Sequence, residues 1–406
     1  MSKLFIEDLS CKGKRVLMRV DFNVPLDDQG RVTDQTRIAA SLPSIRYVLE
    51  KGGSLVLMSH LGRPKGKPSP EFSLAPVASL LSSLLKQPVA FASDCRGKAV
   101  LAQVKSLLPG ELLLLENLRF HRAEEYPEED PSFAEELASF GDLYVNDAFG
   151  SSHRKHSSLY TVPRFFEGRA AAGYLLEKEI HFLGHNLKDP RRPFYALIGG
   201  AKVSTKLGVI TSLLDKVDAL LIGGGMAYTL LKAQGMHIGQ SLCEETLLPQ
   251  AREILLLAEQ KGVPLHLPAD FVVAKECSPT ASYHYVERAE GIAHDYQGLD
   301  IGPKTIASFS HTLKDAALIL WNGPVGVFEI PLFAKGTYAI AEAIAASSAL
   351  TIVAGGDSIA ALNATGLAST ISHISTGGGA TLEYIEYGTL PGIEALSEKK
   401  SLQNLA

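Results

Sequence analysis

Nine short β-rich apolar runs punctuate this chain, and longer segments with helical patterning separate them. In the first half they are RVLMRVDFNVP (Arg15 to Pro25), GSLVLMSHLGR (Gly53 to Arg63), ELLLLENLRF (Glu111 to Phe120) and DLYVNDAFG (Asp142 to Gly150). In the second half they are FYALIGGAK (Phe194 to Lys202), ALLIGGG (Ala219 to Gly225), VPLHLPADFVV (Val263 to Val273), ALILWNGPVG (Ala317 to Gly326) and LTIVAGGDS (Leu350 to Ser358). Near-continuous apolar strands alternating with helices imply parallel sheets covered on both faces. Each run keeps its polar or glycine-rich residues at its carboxyl end, where open α/β sheets bind ligands.

Length divides this pattern. At 406 residues the chain exceeds one ordinary core, so two domains are expected. Between the two sets of runs, Leu175, Leu176, Glu179, Ile180 and Leu183 repeat at helical spacing until Pro190 and Pro193 stop them. This reads as a linker helix joining two Rossmann-like domains with parallel sheets.

The two sheet edges differ in chemistry. Of sixteen arginines, fourteen lie at or before Arg192. SHLGRP places His60 and Arg63 on a strand-end loop, ENLRFH adds Arg119, SSHRKHSS adds Arg154, and TDQTRI adds Arg37. A single arginine there is an ordinary surface charge, but several together suit an oxyanion pocket. DFNVP contributes Asp21 and Asn23, which can bind a hydroxyl in two directions.

The second half offers glycine, lysine and aspartate instead. GGAKVSTK follows a strand and opens a helix, with Lys202 and Lys206 one helical turn apart. GGG at Gly223 to Gly225 suits either a tight turn or a flat base that tolerates no side chain. STGGGA, Ser375 to Ala380, suits an anion nest or a plain loop. In GGDS, Gly355 and Gly356 expose amides at a helix N-terminus. Asp357 beside them is either a helix cap or a hard oxygen ligand for Mg²⁺. No G-x-x-x-x-G-K-[ST] loop occurs.

Composition narrows the class. A net charge of −5 argues against a general nucleic-acid binder, and no apolar run reaches the roughly 18 residues of a membrane span. MSKLFIEDLS lacks the apolar core of an export signal. Cys11, Cys95, Cys243 and Cys277 form no C-x-x-C pair, so a cysteine metal cluster or a disulfide framework is not expected, and a cytoplasmic location is.

DFNVP, SHLGRP, ENLRF, DAFGSSHR, GGAKVSTK, IGGGMA, LPADFVVA, WNGPVGVFE, GGDS and HISTGGGA occur in one order across nearly the whole chain. In this the sequence resembles the phosphoglycerate kinase family. The resemblance implies transfer of a phosphoryl group from 1,3-bisphosphoglycerate to ADP, giving 3-phosphoglycerate and ATP, by a hinge-bending monomer. It places the glycerate on Asp21, Asn23, Arg37, His60, Arg63, Arg119 and Arg154 of an N-terminal domain, residues 1–170. It places Mg²⁺-nucleotide on Lys202, Lys206, Gly223, Gly224, Gly298, Asn322, Glu329, Gly355, Gly356, Asp357 and Ser358 of a C-terminal domain, residues 193–390. Arg37, Lys202, Gly356 and Gly379 fall at the catalytic positions, and Asp357 at the metal position. Residues 171–192 are the linker helix and hinge, and a tail of about 391–406 is expected to return to the N-terminal domain. Ser151 and Ser152 depart from the threonine and alanine common in the family; the change is expected to be neutral.

The chemistry is coherent apart from the resemblance. A carboxylate acceptor is already ionised at neutral pH, so no general base is needed. Phosphoryl transfer asks for alignment and charge neutralisation, which arginine, lysine, Mg²⁺ and glycine amides supply. A nicotinamide dehydrogenase should instead show G-x-G-x-x-G with an acidic residue about 20 positions on, and neither is clear. A two-domain solute-binding protein would need no lysine and magnesium set.

Overall fold

The structure, a computed structural model, describes residues 3–399. The chain forms two compact units. One comprises residues up to His181 together with the segment from Thr389, and the other is Phe182–Gly388.

The first unit is built on a six-stranded parallel sheet of β1 (Arg15–Val20), β2 (Ser54–Met58), β3 (Ala90–Phe91), β4 (Leu112–Leu114), β5 (Leu143–Asp147) and β6 (Ala170–Ala172), in the order β3-β4-β2-β1-β5-β6. β2 is buried at every position, as a strand covered on both faces must be. Val16, Met18 and Val20 pack with Leu55, Leu57 and helix residues Ile38 and Ile45 on one face of the sheet. β1 pairs with β2 on one side and β5 on the other, so the loops after all three leave one edge side by side.

The second unit carries another six-stranded parallel sheet and a smaller antiparallel one. Its strands are β7 (Phe194–Ile198), β8 (Ala219–Ile222), β9 (Leu265–His266), β10 (Asp270–Ala274), β11 (Tyr283–Glu287), β12 (Gln297–Ile301), β13 (Leu318–Asn322), β14 (Leu350–Ala354) and β15 (His373–Ser375). The parallel order is β15-β14-β13-β7-β8-β9. From β7 the chain winds one way through β8 and β9, and later the other way through β13, β14 and β15. The reversal lies between β7 and β13, where a doubly wound sheet opens its crevice. Trp321 is wholly buried in the core, and its indole N–H is satisfied by the Gly323 carbonyl at 2.8 Å.

Several expectations need correction. The run Val263 to Val273 is two strands in two different sheets, because Pro268 interrupts it and cannot donate to a ladder. β10 pairs antiparallel with β11 and β12, which lack a long apolar run. The run Glu111 to Phe120 holds only a three-residue strand. Asn117 then accepts the Arg119 N–H at 3.1 Å and turns the chain into a 3-10 helix, Leu118–Phe120. The linker helix begins at Tyr174 rather than 171, because Ala170–Ala172 pairs with β5. It continues as a π-helix, Ile180–His185, and a short turn, Asn186–Lys188.

The C-terminal segment joins the first unit. Gly392 donates to the Ser152 carbonyl at 2.8 Å, and Asn146 Nδ2 donates to the Gly392 carbonyl at 3.0 Å. Leu4 N donates to Ser397 O and Ser397 N to Ala170 O, both at 2.9 Å. Residues 400–406 of the expected tail lie outside the described residues.

Candidate active site

The carboxyl edge of the first sheet gathers cations. Arg37 lies in the first turn of the helix Thr36–Glu50, with Nη1 3.1 Å from Asp21 Oδ2. Gly62 ties three strand-end loops together. Its N–H donates to Asn23 Oδ1 at 2.9 Å, and its carbonyl accepts from Arg119 Nη1 at 2.8 Å. Arg119 also pairs with Glu125 at 3.3 Å, and burial lowers its guanidinium from the usual arginine range. Arg63 and Arg154 extend this edge as exposed side chains. Ser151 Oγ reaches Asp21 at 3.4 Å.

Beneath them lies a polar shell that the sequence reading missed. Arg19 is fully buried; its Nε donates to Ser158 Oγ at 2.9 Å, and its Nη2 is 3.1 Å from His60 Nδ1. Ser158 Oγ in turn donates to buried Glu124 at 2.7 Å. A buried charge tolerates its position only when paired and hydrogen-bonded, and Ser158 bridges the two. The only signal was a charge inside the apolar run RVLMRV, paired with a partner far along the chain. Burial, aided by Arg19 and Arg119, holds His60 neutral. Burial and the Arg119, Arg19 and Arg154 charges push His156 down to about 3. The imidazoles are thus kept uncharged in a basin whose positive potential comes from arginine.

In the second unit, register brings the site together. Ile222, Ile198, Asn322 and Ala354 are successive Cα partners across four strands. Each is followed at once by a glycine: Gly223, Gly199, Gly323 and Gly355. A cleft of about 370 Å³ opens there, lined by Lys202, Lys206, Asn322, Gly355, Asp357 and Ser358 among others. Lys206 Nζ donates to the carbonyls of Gly199 at 2.6 Å and Asn322 at 3.0 Å. Burial lowers its ammonium to about 8, with Asp357 opposing. Asn322 Nδ2 donates to Ala354 O at 2.9 Å, and Ser358 Oγ accepts the Gly323 N–H at 2.6 Å. Gly356–Ala364 and Gly379–Tyr387 are helices whose first residues face open space.

The glycines separate into two kinds. A Cβ on Gly199 would meet the Pro324 carbonyl at 2.2 Å, and one on Gly224 would meet the Gly200 amide nitrogen at 2.7 Å. Gly223 is closed by Val325, and Gly298 by the Tyr228 ring. Packing alone demands these four. At Gly356 and Gly379 a Cβ would meet nothing within 4 Å, and neither has a positive φ. Of the expected nucleotide residues, Gly223, Gly224, Gly298 and Glu329 do not line the cleft. Glu329 is exposed.

Known proteins resemble this arrangement. The sequence profile described as Phosphoglycerate kinase matches residues 6–387. The chain belongs to the phosphoglycerate kinase family. The phosphoglycerate kinase of Chlamydia muridarum (strain MoPn / Nigg) is 52% identical over 404 residues, 99% of this chain and 100% of that protein. The solved phosphoglycerate kinase of Coxiella burnetii has 40% identity and a TM-score of 0.89, covering 97% of this chain and 98% of that one. That of Pyrococcus horikoshii OT3 has 33% identity and a TM-score of 0.81, covering 97% and 98%. The family's enzymes are ATP:3-phosphoglycerate 1-phosphotransferases of glycolysis, and that is the reaction of this chain. Ser152, where the family often has alanine, is fully buried. It donates to Ala148 O at 2.9 Å and accepts from Asn146 at 3.1 Å, so here the hydroxyl serves as an internal brace.

Proposed function

We propose that the two units divide the phosphotransferase reaction between them. The first holds 3-phosphoglycerate: Arg63, Arg119 and Arg154 grip its phosphate, and Asp21 and Asn23 orient its hydroxyl. The second holds the nucleotide polyphosphate against Lys206, the amides of Gly355–Ser358 and the cation of Lys202. The observation that carries this reading is the set of glycines around Lys206, which opens a lysine-lined cleft to backbone amides at the sheet's topological switch point.

Asp357 fits a Mg²⁺ ligand. It stands in the first turn of the Gly356–Ala364 helix, and among the described residues its carboxylate has no hydrogen-bond partner. When bound, Mg²⁺ would neutralise charge on the nucleotide phosphates. The chain's own residues do the rest. Arg37 offers positive charge from the glycerate side and Lys202 from the nucleotide side of the moving phosphoryl group. Gly356 and Gly379 present amides where no side chain intrudes. The attacking carboxylate is ionised at neutral pH, so no residue removes a proton.

The reacting atoms must come within about 3–3.5 Å, with bulk water excluded. Hinge closure about the linker helix is the means by which separate units meet that requirement. Each unit holds its own ligand set within one chain, which supports a monomer. All four cysteines are free, which suits a cytoplasmic enzyme, and among the described residues no helix is long and apolar enough to cross a membrane. A coupled assay with 3-phosphoglycerate and MgATP tests the reading. Formation of ADP only when both are present is expected, and NAD binding in place of ADP binding would refute it.

A further inference from the structure

Asp94, Cys95 and His121 lie outside both pockets. Asp94 and Cys95 follow β3, and His121 follows the turn after β4. These strands are neighbours in the first sheet, so their loops emerge together at its carboxyl edge. His121 Nε2 is 2.7 Å from Asp94 Oδ1. One donor atom from each of the three side chains lies within 4.8 Å of the other two. Phe133 packs on the imidazole at 5.5 Å and steadies the ring. The Cys95 thiol is buried, while Asp94 and His121 keep 48% and 26% of their side chains exposed. The cluster is therefore closed behind the sulfur and open outward. Asp94 and Glu124 act on the sulfur with negative charge and Arg96 with positive. Arg96 is itself held by Asp130 at 2.8 Å and Glu136 at 2.9 Å.

We propose that Asp94, Cys95 and His121 bind a borderline-soft divalent cation, Zn²⁺ in first place. One thiolate, one imidazole and one carboxylate form a zinc donor set, and the open side leaves the fourth position to water. Bonds of about 2.0–2.3 Å place tetrahedral ligand atoms about 3.3–3.8 Å apart. The Asp94–His121 pair therefore opens by roughly half an ångström, and the other separations, none above 4.8 Å, close by no more than about 1–1.5 Å. On binding, the S–H bond breaks, an S–Zn bond forms, and the proton passes to solvent. Because the thiol gives up its proton on binding, uptake strengthens as pH rises. Mg²⁺, which prefers oxygen ligands, does not compete for the sulfur.

The test uses the full chain stripped of metal and titrated with Co²⁺ alone, then with Zn²⁺. One equivalent of Co²⁺ should bind with a thiolate-to-cobalt charge-transfer band in the near ultraviolet, and Zn²⁺ should remove it. Cys95→Ser should lose the band while Cys277→Ser, at the exposed cysteine, keeps it. His121→Gln retains the thiol and should bind Co²⁺ at least about tenfold more weakly with phosphotransfer unchanged, so the idea stays testable if Cys95→Ser fails to fold. Absence of the band in the native chain, its survival in Cys95→Ser, its loss in Cys277→Ser, or undiminished affinity in His121→Gln would each overturn the assignment.

Discussion

The ammonium of Lys206 donates at 3.0 Å to the backbone carbonyl of Asn322, the last residue of β13. A second carbonyl, that of Gly199, accepts from it at 2.6 Å. Carbonyl oxygens do not compensate burial of the charge fully, and its pKa stands at about 8 instead of the usual 10.5. A polyphosphate beside it would restore the charge.

MgADP binding should therefore take up protons near pH 8. About half of the Lys206 side chains are neutral there in the free protein, since pH then equals the pKa of about 8. Calorimetry in buffers of different ionisation enthalpy should show roughly half a proton taken up at pH 8. Uptake should vanish below about pH 6.5, where the lysine is already protonated. Lys206→Met should abolish it, and an enthalpy independent of buffer at pH 8 would refute the lysine's role. The same depression has a stability consequence. The unfolded chain binds the proton between pH 8 and 10.5 and the folded chain does not, so the contribution of Lys206 to stability improves as pH rises through that window.

Gly356 and Gly379 have free space around them and ordinary φ values. Alanine at either position should leave stability unchanged or raise it by up to about 1 kcal/mol. The added methyl group should displace the transferring phosphate and lower kcat about a hundredfold. Thermal unfolding and steady-state rates measure the two effects, and full activity in both variants would show that the open space serves nothing.

Asp357→Asn keeps the shape and removes the charge. Turnover should fall by most of its value, and the magnesium concentration for half-maximal rate should rise. A rate that matches the native chain across a magnesium titration would leave Asp357 only the favourable placement of its charge in the first helical turn.

Arg154 is exposed at the arginine edge, so its removal leaves no buried partner behind. Arg154→Ala should weaken 3-phosphoglycerate binding by about tenfold to a hundredfold, the worth of a charge-assisted hydrogen bond of about 1.5–3 kcal/mol. ADP binding should be nearly unchanged. Calorimetry that finds the opposite selectivity would reverse the assignment of the two units.

Closure should require both ligands. A ligand shifts an equilibrium only by its differential affinity for the two states, and one substrate alone gains few contacts from the opposite unit. Small-angle scattering should show compaction with 3-phosphoglycerate and a nucleotide together, and much less with either alone. Equal compaction with ADP alone would contradict the two-ligand mechanism.

The sequence by itself determined the alternation of strands and helices, the chemistry at each strand end and the family. Those signals are local: an apolar run reads as a buried strand wherever its partners lie, and motifs such as GGAKVSTK and GGDS keep their order along the chain. Pairing decided the remainder. Only the strand order places Gly199 and Gly323 around Lys206, and only that packing separates Gly223, Gly224 and Gly298, which neighbours close, from Gly356 and Gly379, which stay open. Arg19, a charge inside an apolar run, is accommodated only by Ser158 and, through it, Glu124, both more than a hundred residues away. The depressed ammonium of Lys206 likewise depends on burial by the β7 and β13 loops. Desolvation and hydrogen bonding act between groups brought together through space, and one-dimensional spacing does not encode which groups those are.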